Sequence, residues 1–133
     1  MREIKFRAWV KRLNSNGEMI YKDFAITSGG DFCYERGGSL YEKESISRYD
    51  EVIPLQFTGL KDKNSKEIYE GDIVEDKSVG RIMEVSWCTR HMGFELLEPT
   101  DKNGGKIWEY ESLSECEILG NIYENPELLD NEK

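Results

Sequence analysis

Apolar and polar residues alternate with a period of two over much of the chain, which is the pattern of half-buried β-strands. The first such run has two opposed faces, with Ile4, Phe6 and Ala8 on one and Lys5, Arg7 and Trp9 on the other. The Asn16-Gly17 pair that follows is a strong reverse-turn signal. A second run with frequent apolar residues returns over 18–26. We therefore predict a β-hairpin over residues 3–26.

Residues that favour turns are most closely spaced between residues 55 and 74. The preceding strand pattern is broken at Thr58-Gly59, and the polar residues 61–66 contain turn formers whose side chains can bond their own backbone. A second tight turn over 70–72 has a glycine that can supply a positive φ. Two turns so close together predict tight β-hairpins. We expect residues 61–66 to be an exposed tip, and residues 63–66 to be removable without loss of the fold.

The C-terminal half continues with short strands separated by turns. We predict strands over 81–88, 94–98 and 117–123, a helical or 3₁₀ turn over 112–116, and a last helical turn over 125–129. The last turn is indicated by Asn125 in the N-cap position followed by Pro126 at the first helical position. Short strands at intervals of about 8–12 residues favour a small antiparallel barrel or sandwich.

Residues 27–50 carry the least regular pattern of the chain and are punctuated by two Gly-Gly pairs. The sequence S-x-x-E over 39–42 fits a helix capping box, so a short helix through residue 48 and an ordered loop are both open. The fold class that we predict is mainly β, a β-rich α+β protein. Its parts are an N-terminal hairpin unit over 1–50, a barrel with a short C-terminal helical turn over 51–129, and a tail over 130–133.

The net charge of −9 argues against sequence-independent binding to DNA or RNA phosphates, which needs clustered lysines and arginines. A local basic stripe nevertheless exists near the N-terminus, formed by Arg2, Lys5, Arg7, Lys11 and Arg12. A nucleic-acid-related role therefore remains as an alternative, either by direct binding or by an acidic surface that mimics DNA and blocks a host protein. The acidic balance is also what a soluble protein with a basic partner would have.

The odd count of three cysteines, together with an N-terminus that lacks an apolar signal segment, predicts reduced thiols and a cytoplasmic location. No apolar run approaches the roughly 20 residues of a transmembrane helix, so we expect no membrane partner.

The sequence offers only weak candidates for a metal site or a catalytic site. Cys88 and His91 have C-x-x-H spacing, and Cys33 with Cys116 would complete a zinc site. Structural zinc sites usually have two paired knuckles, however, and only one is present. A Cys–His nucleophile pair would lack both an oxyanion element and an orienting group, and the chain has a single histidine. We therefore predict no catalytic residue, no cofactor and no metal, and a protein that is not an enzyme.

Four stretches together resemble the YopX family, a group of small proteins encoded by bacteriophages and prophages of Gram-positive bacteria. They are M-R-E-I-K-F-R-A-W at 1–9, T-G-L-K-D-K-N-S-K-E-I-Y-E-G-D-I-V at 58–74, the segment from Trp87 to Phe94, and I-L-G-N-I-Y-E-N-P-E-L-L at 118–129. The family usually has Asp where this chain has Val10, and Gly where it has Ser65. Because a serine at positive φ costs about 1 kcal/mol relative to glycine, we expect a turn of different geometry at Ser65.

The resemblance implies a β-rich protein whose C-terminal part is similar to an SH3-like barrel, of phage or prophage origin and without established catalytic residues. On such a barrel, exposed aromatic side chains can line a groove for a partner. Trp9 and Trp87 share strand faces with charged residues, which makes them candidates for exposure. We predict a module that binds itself, as a homo-oligomer, or a host or phage protein. The predicted interaction surface consists of Trp9, Trp87, Lys61, Lys63, Asn64 and Lys66.

Overall fold

The computed structural model describes residues 4–11, 16–22, 24–26, 32–36, 39–40, 51–78, 80–89, 92–98 and 110–129. Its strands are β1 (Phe6–Lys11), β2 (Glu18–Ile20), β3 (Phe24–Ile26), β4 (Phe32–Arg36), β5 (Ser39–Leu40), β6 (Glu51–Lys61), β7 (Glu67–Tyr69), β8 (Asp72–Asp76), β9 (Arg81–Cys88), β10 (Gly93–Leu97) and β11 (Glu117–Asn121). There are two 3₁₀ turns in these ranges: η1 (Tyr110–Glu115) lies between β10 and β11, and η2 (Pro126–Leu129) follows β11. These ranges contain no α-helix, and the prediction of a mainly β fold is confirmed.

The strands form three sheets, in the orders β2-β1-β6-β7, β10-β9-β8-β11 and β3-β4-β5. The pairs β1–β2 and β6–β7 of the first sheet and all pairs of the other two sheets are antiparallel. The chain divides into two compact units, residues 6–55 and residues 1–5 with 56–133, so the division falls inside β6. No helical element in the described ranges is long and apolar enough to cross a membrane.

In the unit of residues 6–55, β1 and β2 form the predicted hairpin, with Ala8 opposite Ile20. The second strand ends at Ile20 rather than at residue 26, because β3 turns away to pair with β4. Ala8 and Val10 are buried, and the partly buried Ile20, Phe24 and Val52 pack against them. The helix considered from Ser39 does not start there, since Ser39 and Leu40 form β5 and pair with β4. Residues 41–50 lie outside the described ranges.

In the unit of residues 1–5 and 56–133, β8, β9 and β10 form an antiparallel meander, and β11 adds to the outer side of β8. The register places Val74 opposite Met83 and Leu96 opposite Val85, so these four side chains share one face. That face carries the main core, which consists of Ile68, Val74, Met83, Val85, Leu96, Leu113 and Cys116. The 3₁₀ turn η1 supplies Leu113, which is 1% exposed and closes this core.

The predicted break at Thr58-Gly59 is wrong, because β6 continues to Lys61. Its pairing with β7 shifts between Phe57 and Lys61, and Gly59 has a φ of +90°, so a β-bulge absorbs the irregularity. Thr58 is fully buried at this bulge. Its hydroxyl donates to the carbonyl of Ile68 at 2.8 Å and accepts from the N–H of Leu60 at 3.2 Å. The strand continues through the bulge because the Thr58 hydroxyl, acting both as donor and as acceptor, replaces missing ladder bonds.

Candidate interaction surface

The loop between β6 and β7, residues 62–66, is organised by a buried carboxylate. Asp62 is 5% exposed. Its Oδ1 accepts from the N–H groups of Asn64 at 2.8 Å and Lys66 at 2.9 Å, and its Oδ2 accepts from the N–H of Ile118 at 3.0 Å. Burial alone would raise the pKa of Asp62, but the three N–H donors and the Lys66 charge outweigh it, so the pKa is lowered. The ionised carboxylate therefore ties the loop to β11.

Ser65 adopts a φ of +67°, so the expectation of a different turn geometry at this position is wrong. Its N–H donates to the carbonyl of Asp62 at 2.9 Å, which fixes the left-handed conformation despite a cost of about 1 kcal/mol. The loop is also bonded to its surroundings through the N–H of Lys63, which donates to the carbonyl of Cys116 at 2.9 Å. Removal of residues 63–66 would break these bonds, so the expectation that they are dispensable for folding is not supported by their contacts.

The four predicted surface residues of this loop and its edge, Lys61, Lys63, Asn64 and Lys66, are all exposed. Lys63 lies 3.5 Å from the carboxylate of Glu117, and Lys77 lies 3.8 Å from the same carboxylate. Lys61 and Lys66 form no ion pair with any residue in the described ranges. The loop thus presents cationic side chains on a rigid backbone, but two of the nearby lysines share one acidic partner.

Trp9 is 4% exposed, so the expectation that it lies on a surface is wrong. A methyl group built on Gly17 would overlap the Trp9 ring, which shows that the hairpin turn is folded directly over the indole. Gly17 has a φ of +88°, and its missing side chain makes room for that ring. Trp9 is therefore part of the packing of the unit of residues 6–55.

Trp87 lies near the end of β9 and is 37% exposed. It stands opposite Phe94 of β10, and the two rings meet edge to face, with 5.1 Å between their centroids and 82° between their planes. Met92, in the turn before β10, is 74% exposed and has a φ of +54°. We call Trp87, Met92 and Phe94 the hairpin patch.

The hairpin patch continues the core towards solvent. Val85 and Leu96 form the next cross-strand pair on the same face and are fully or almost fully buried, and Phe94 packs against the core cluster. The sequence had indicated Trp87 but not Met92, because a methionine inside a turn carries no periodic signal. Its exposure depends on the turn geometry alone.

In a comparison with models of known protein families, the model of the YopX protein family matches residues 5–130 of this chain. The chain belongs to the YopX family. Among solved structures, this YopX-family protein is similar to the crystal structure of protein EF1440 from Enterococcus faecalis, with 29% sequence identity and a TM-score of 0.54. That match covers 97% of this chain and 99% of the other. No curated protein sequence matches it.

The basic stripe of this YopX-family protein is largely engaged internally where it is described. Arg7 is 2% exposed, its guanidinium carbon lies 5.8 Å from the centroid of the Tyr21 ring, and its Nη1 donates to the Tyr21 hydroxyl at 3.4 Å. Lys5 forms a salt bridge with Glu67, and its Nζ lies 4.9 Å from the centroid of the Phe57 ring. Arg2 and Arg12 lie outside the described ranges. The stripe is thus not a continuous basic surface in the part that is described.

The zinc-site hypothesis falls mainly outside the described residues, because His91 and the side chain of Cys33 are not among them. Cys88 is a half-buried free thiol, and Cys116 is a fully buried one. Burial, and then the nearby carboxylates of Asp76, Glu115 and Asp62, raise the pKa of Cys116 to about 11. A thiol that resists ionisation is a poor nucleophile and a poor metal ligand. Within the described ranges, no three His, Cys, Asp or Glu side chains form a group that could hold a metal.

Proposed function

We propose that this YopX-family protein is a non-enzymatic module that binds another protein through the hairpin patch. The observation that carries this proposal is the exposure of Trp87 and Met92, at 37% and 74%, on a hairpin whose next residue pair is buried. Tryptophan and methionine are enriched at protein interfaces, where a few large side chains contribute most of the binding energy.

The geometry of the patch supports binding rather than incidental exposure. The Trp87 ring is held against Phe94, so a partner would order few additional rotatable bonds on this side of the interface. Met92 is unbranched and flexible, and such side chains adapt to irregular apolar surfaces. One fixed aromatic anchor beside one adaptable side chain suits a protein contact.

The proposal of a non-enzymatic role is supported by the state of the candidate reactive groups. The chain has one histidine, and the pKa of Cys116 is raised to about 11 by burial and neighbouring carboxylates. A phage or prophage origin and a cytoplasmic location are part of the same proposal. The origin rests on the family resemblance, and the location rests on the low, odd cysteine count.

Direct DNA binding receives less support, because Arg7 is buried and Lys5 is paired with Glu67. These two side chains would have to leave existing partners in order to contact phosphates. The net charge of −9 would also repel a polyanion.

Affinity capture with mass spectrometry, from a bacterial host that carries the corresponding phage, tests the proposed function. The wild-type chain is compared with a Trp87→Ser, Met92→Ser variant and with Ile4→Ser as a matched control. Ile4 is 67% exposed and lies outside the hairpin patch, so its substitution also removes exposed apolar surface. We expect the double variant to lose a partner that wild type and Ile4→Ser both retain. Equal recovery by all three proteins would refute a role for the patch.

The same variants distinguish a foreign partner from a second copy of the chain. The mass of each protein in solution is measured by light scattering over a range of concentrations. A wild-type dimer that the double variant loses would assign the patch to self-association. A wild-type monomer together with patch-dependent capture would assign it to another protein.

A further inference from the structure

The methionines that the structure describes differ sharply in their access to water. Met92 is 74% exposed in its turn, whereas Met83 is 3% exposed within the main core. Met19 is half-buried in β2, opposite Trp9, and Met1 lies outside the described ranges. A peroxide oxidises a thioether where it can reach the sulfur, so the rate of reaction follows exposure. The fold therefore predicts oxidation at Met92 ahead of Met19 and Met83.

The reaction at the Met92 sulfur is a two-electron oxidation. A lone pair of the sulfur attacks one oxygen of hydrogen peroxide, so that an S–O bond forms and the O–O bond breaks. The sulfur becomes a sulfoxide, and the departing oxygen takes the proton of the attacked hydroxyl and leaves as water. A methionine sulfoxide reductase reverses the change with two thiols, which form a disulfide while the sulfoxide oxygen leaves as water.

The position of Met92 allows this change to affect the hairpin patch without affecting the core. Met92 precedes Phe94 by two residues, and neither of the two buried clusters formed by the described residues includes it. A sulfoxide there stays hydrated in the free protein, so the fold loses nothing. A partner that covers the patch would have to strip water from this polar group, which opposes binding. A sulfoxide at Met83, in contrast, would place a polar group in the core.

We propose that Met92 is a reversible oxidation site that changes the hairpin patch between a form that binds its partner and a form that does not. The oxidant is a peroxide, and the reductant is a thiol acting through a sulfoxide reductase. This inference rests on the proposed function and specifies how the same surface is regulated.

The first test measures sulfoxide formation at each methionine by peptide mass spectrometry, after timed exposure of the whole protein to hydrogen peroxide. The same reaction in urea gives the rate for each residue in the unfolded chain. We expect Met92 in the folded protein to react within about twofold of its unfolded rate, and Met83 to be slowed more than about tenfold. Protein oxidised at Met92 alone should unfold at the same urea concentration as untreated protein.

The second test repeats the affinity capture with untreated wild type, peroxide-treated wild type and peroxide-treated Met92→Leu. The host lysate is desalted to remove small thiols that would support reduction. Leucine keeps an apolar side chain but has no sulfur, so this variant controls for oxidation of other residues, including Trp87 and Cys88. We expect treated wild type to lose the partner and treated Met92→Leu to retain it. Treatment with a sulfoxide reductase and a thiol should restore capture by wild type.

Protection of Met92 as strong as that of Met83 would overturn the inference, and so would a lower urea midpoint after oxidation of Met92 alone. Loss of the partner by both treated proteins would overturn it as well, because another residue would then be responsible. If treated wild type keeps a partner that still depends on Trp87 and Met92, the proposed function stands and the regulation is refuted. If no captured protein depends on the patch, the proposed function fails and the regulatory role fails with it.

Discussion

The carboxylate of Asp62 accepts a hydrogen bond from the backbone N–H of Ile118 at 3.0 Å, across 56 residues of sequence. With its two bonds to Asn64 and Lys66, this side chain fixes the loop between β6 and β7 and attaches it to the last strand. The loop that contains Asp62 is thus held against β11, although the two segments are far apart in the sequence.

Replacing Asp62 with Ala should destabilise the protein by about 3 kcal/mol, because three backbone N–H groups lose a charged acceptor. Urea unfolding measures the loss. Asp76→Ala is the control, since the Asp76 carboxylate also accepts bonds in a turn, from the N–H and hydroxyl of Ser78, but at an exposed site. That control should cost about 0.5 kcal/mol or less. A similar cost for both variants would contradict the central role of Asp62.

The contribution of Asp62 should depend on pH in a defined direction. Because the folded protein lowers the pKa of this carboxyl below its ordinary value of 3.8, its stabilisation is fully present above that value and is lost as pH falls through the folded pKa. The difference in unfolding free energy between wild type and Asp62→Asn should be constant from pH 7 to about pH 5 and shrink at lower pH. A difference that grows on acidification would refute this assignment.

Glu84 should behave in the opposite way. Burial and the Glu70 carboxylate raise its pKa above the ordinary value of 4.5, so its ionisation opposes folding. This penalty is absent at low pH and builds up as pH rises from the ordinary value through the folded one. Glu84→Gln should therefore stabilise the protein at pH 7 and lose that advantage on acidification. Glu95→Gln, on the neighbouring strand, controls for removal of a carboxylate from the same hairpin.

Alanine substitutions at Gly17 and Gly80 should distinguish the stability cost of backbone strain from the cost of steric overlap. Both have positive φ, +88° and +68°, but a methyl group on Gly17 would overlap the Trp9 ring, whereas one on Gly80 meets nothing within 4 Å. Gly80→Ala should cost about 1 kcal/mol for the left-handed conformation alone. Gly17→Ala should cost about 2 kcal/mol more, because the ring must also move. Equal thermal unfolding midpoints for the two variants would show that the turn can open without disturbing Trp9.

Thiol labelling should distinguish the two described cysteines. In a Cys33→Ser background, the half-buried Cys88 should react with a disulfide reagent more than about tenfold faster than Cys116, which is fully buried and has a pKa raised to about 11. Single Cys88→Ser and Cys116→Ser variants assign the two rates. Rapid native labelling of Cys116 would mean that the core around Leu113 opens readily.

Elements that depend on neighbouring residues could be predicted well. The β9 strand was expected over 81–88 and is observed as Arg81–Cys88, because its alternation of apolar and polar residues is regular. The turn at η1 and the strand β11 also lie close to their expected positions. The hairpin of β1 and β2 follows from the Asn16-Gly17 turn, and only the length of its second strand was overestimated.

The candidate site could be predicted only in part. Trp87 and the loop lysines were identified because charged residues on a strand face or in a turn indicate exposure from the local sequence alone. Trp9 has the same local pattern as Trp87, with charged residues on its strand face, yet it is buried. Strand alternation separates two faces but does not say which of them other segments will cover. Met92 gave no signal at all, since its exposure follows from a turn.

The sequence by itself determined the mainly β class, the turns over 61–66 and 70–72 and the family, because these depend on side-chain alternation, turn residues and matched motifs. Tertiary structure alone decided that Asp62 bonds to Ile118, that Gly17 lies over Trp9, and that Trp87 and Met92 remain in solvent. Each of these depends on which distant segments pack together. Burial and hydrogen bonding across such distances in the chain are set by the whole fold, and no local pattern encodes them.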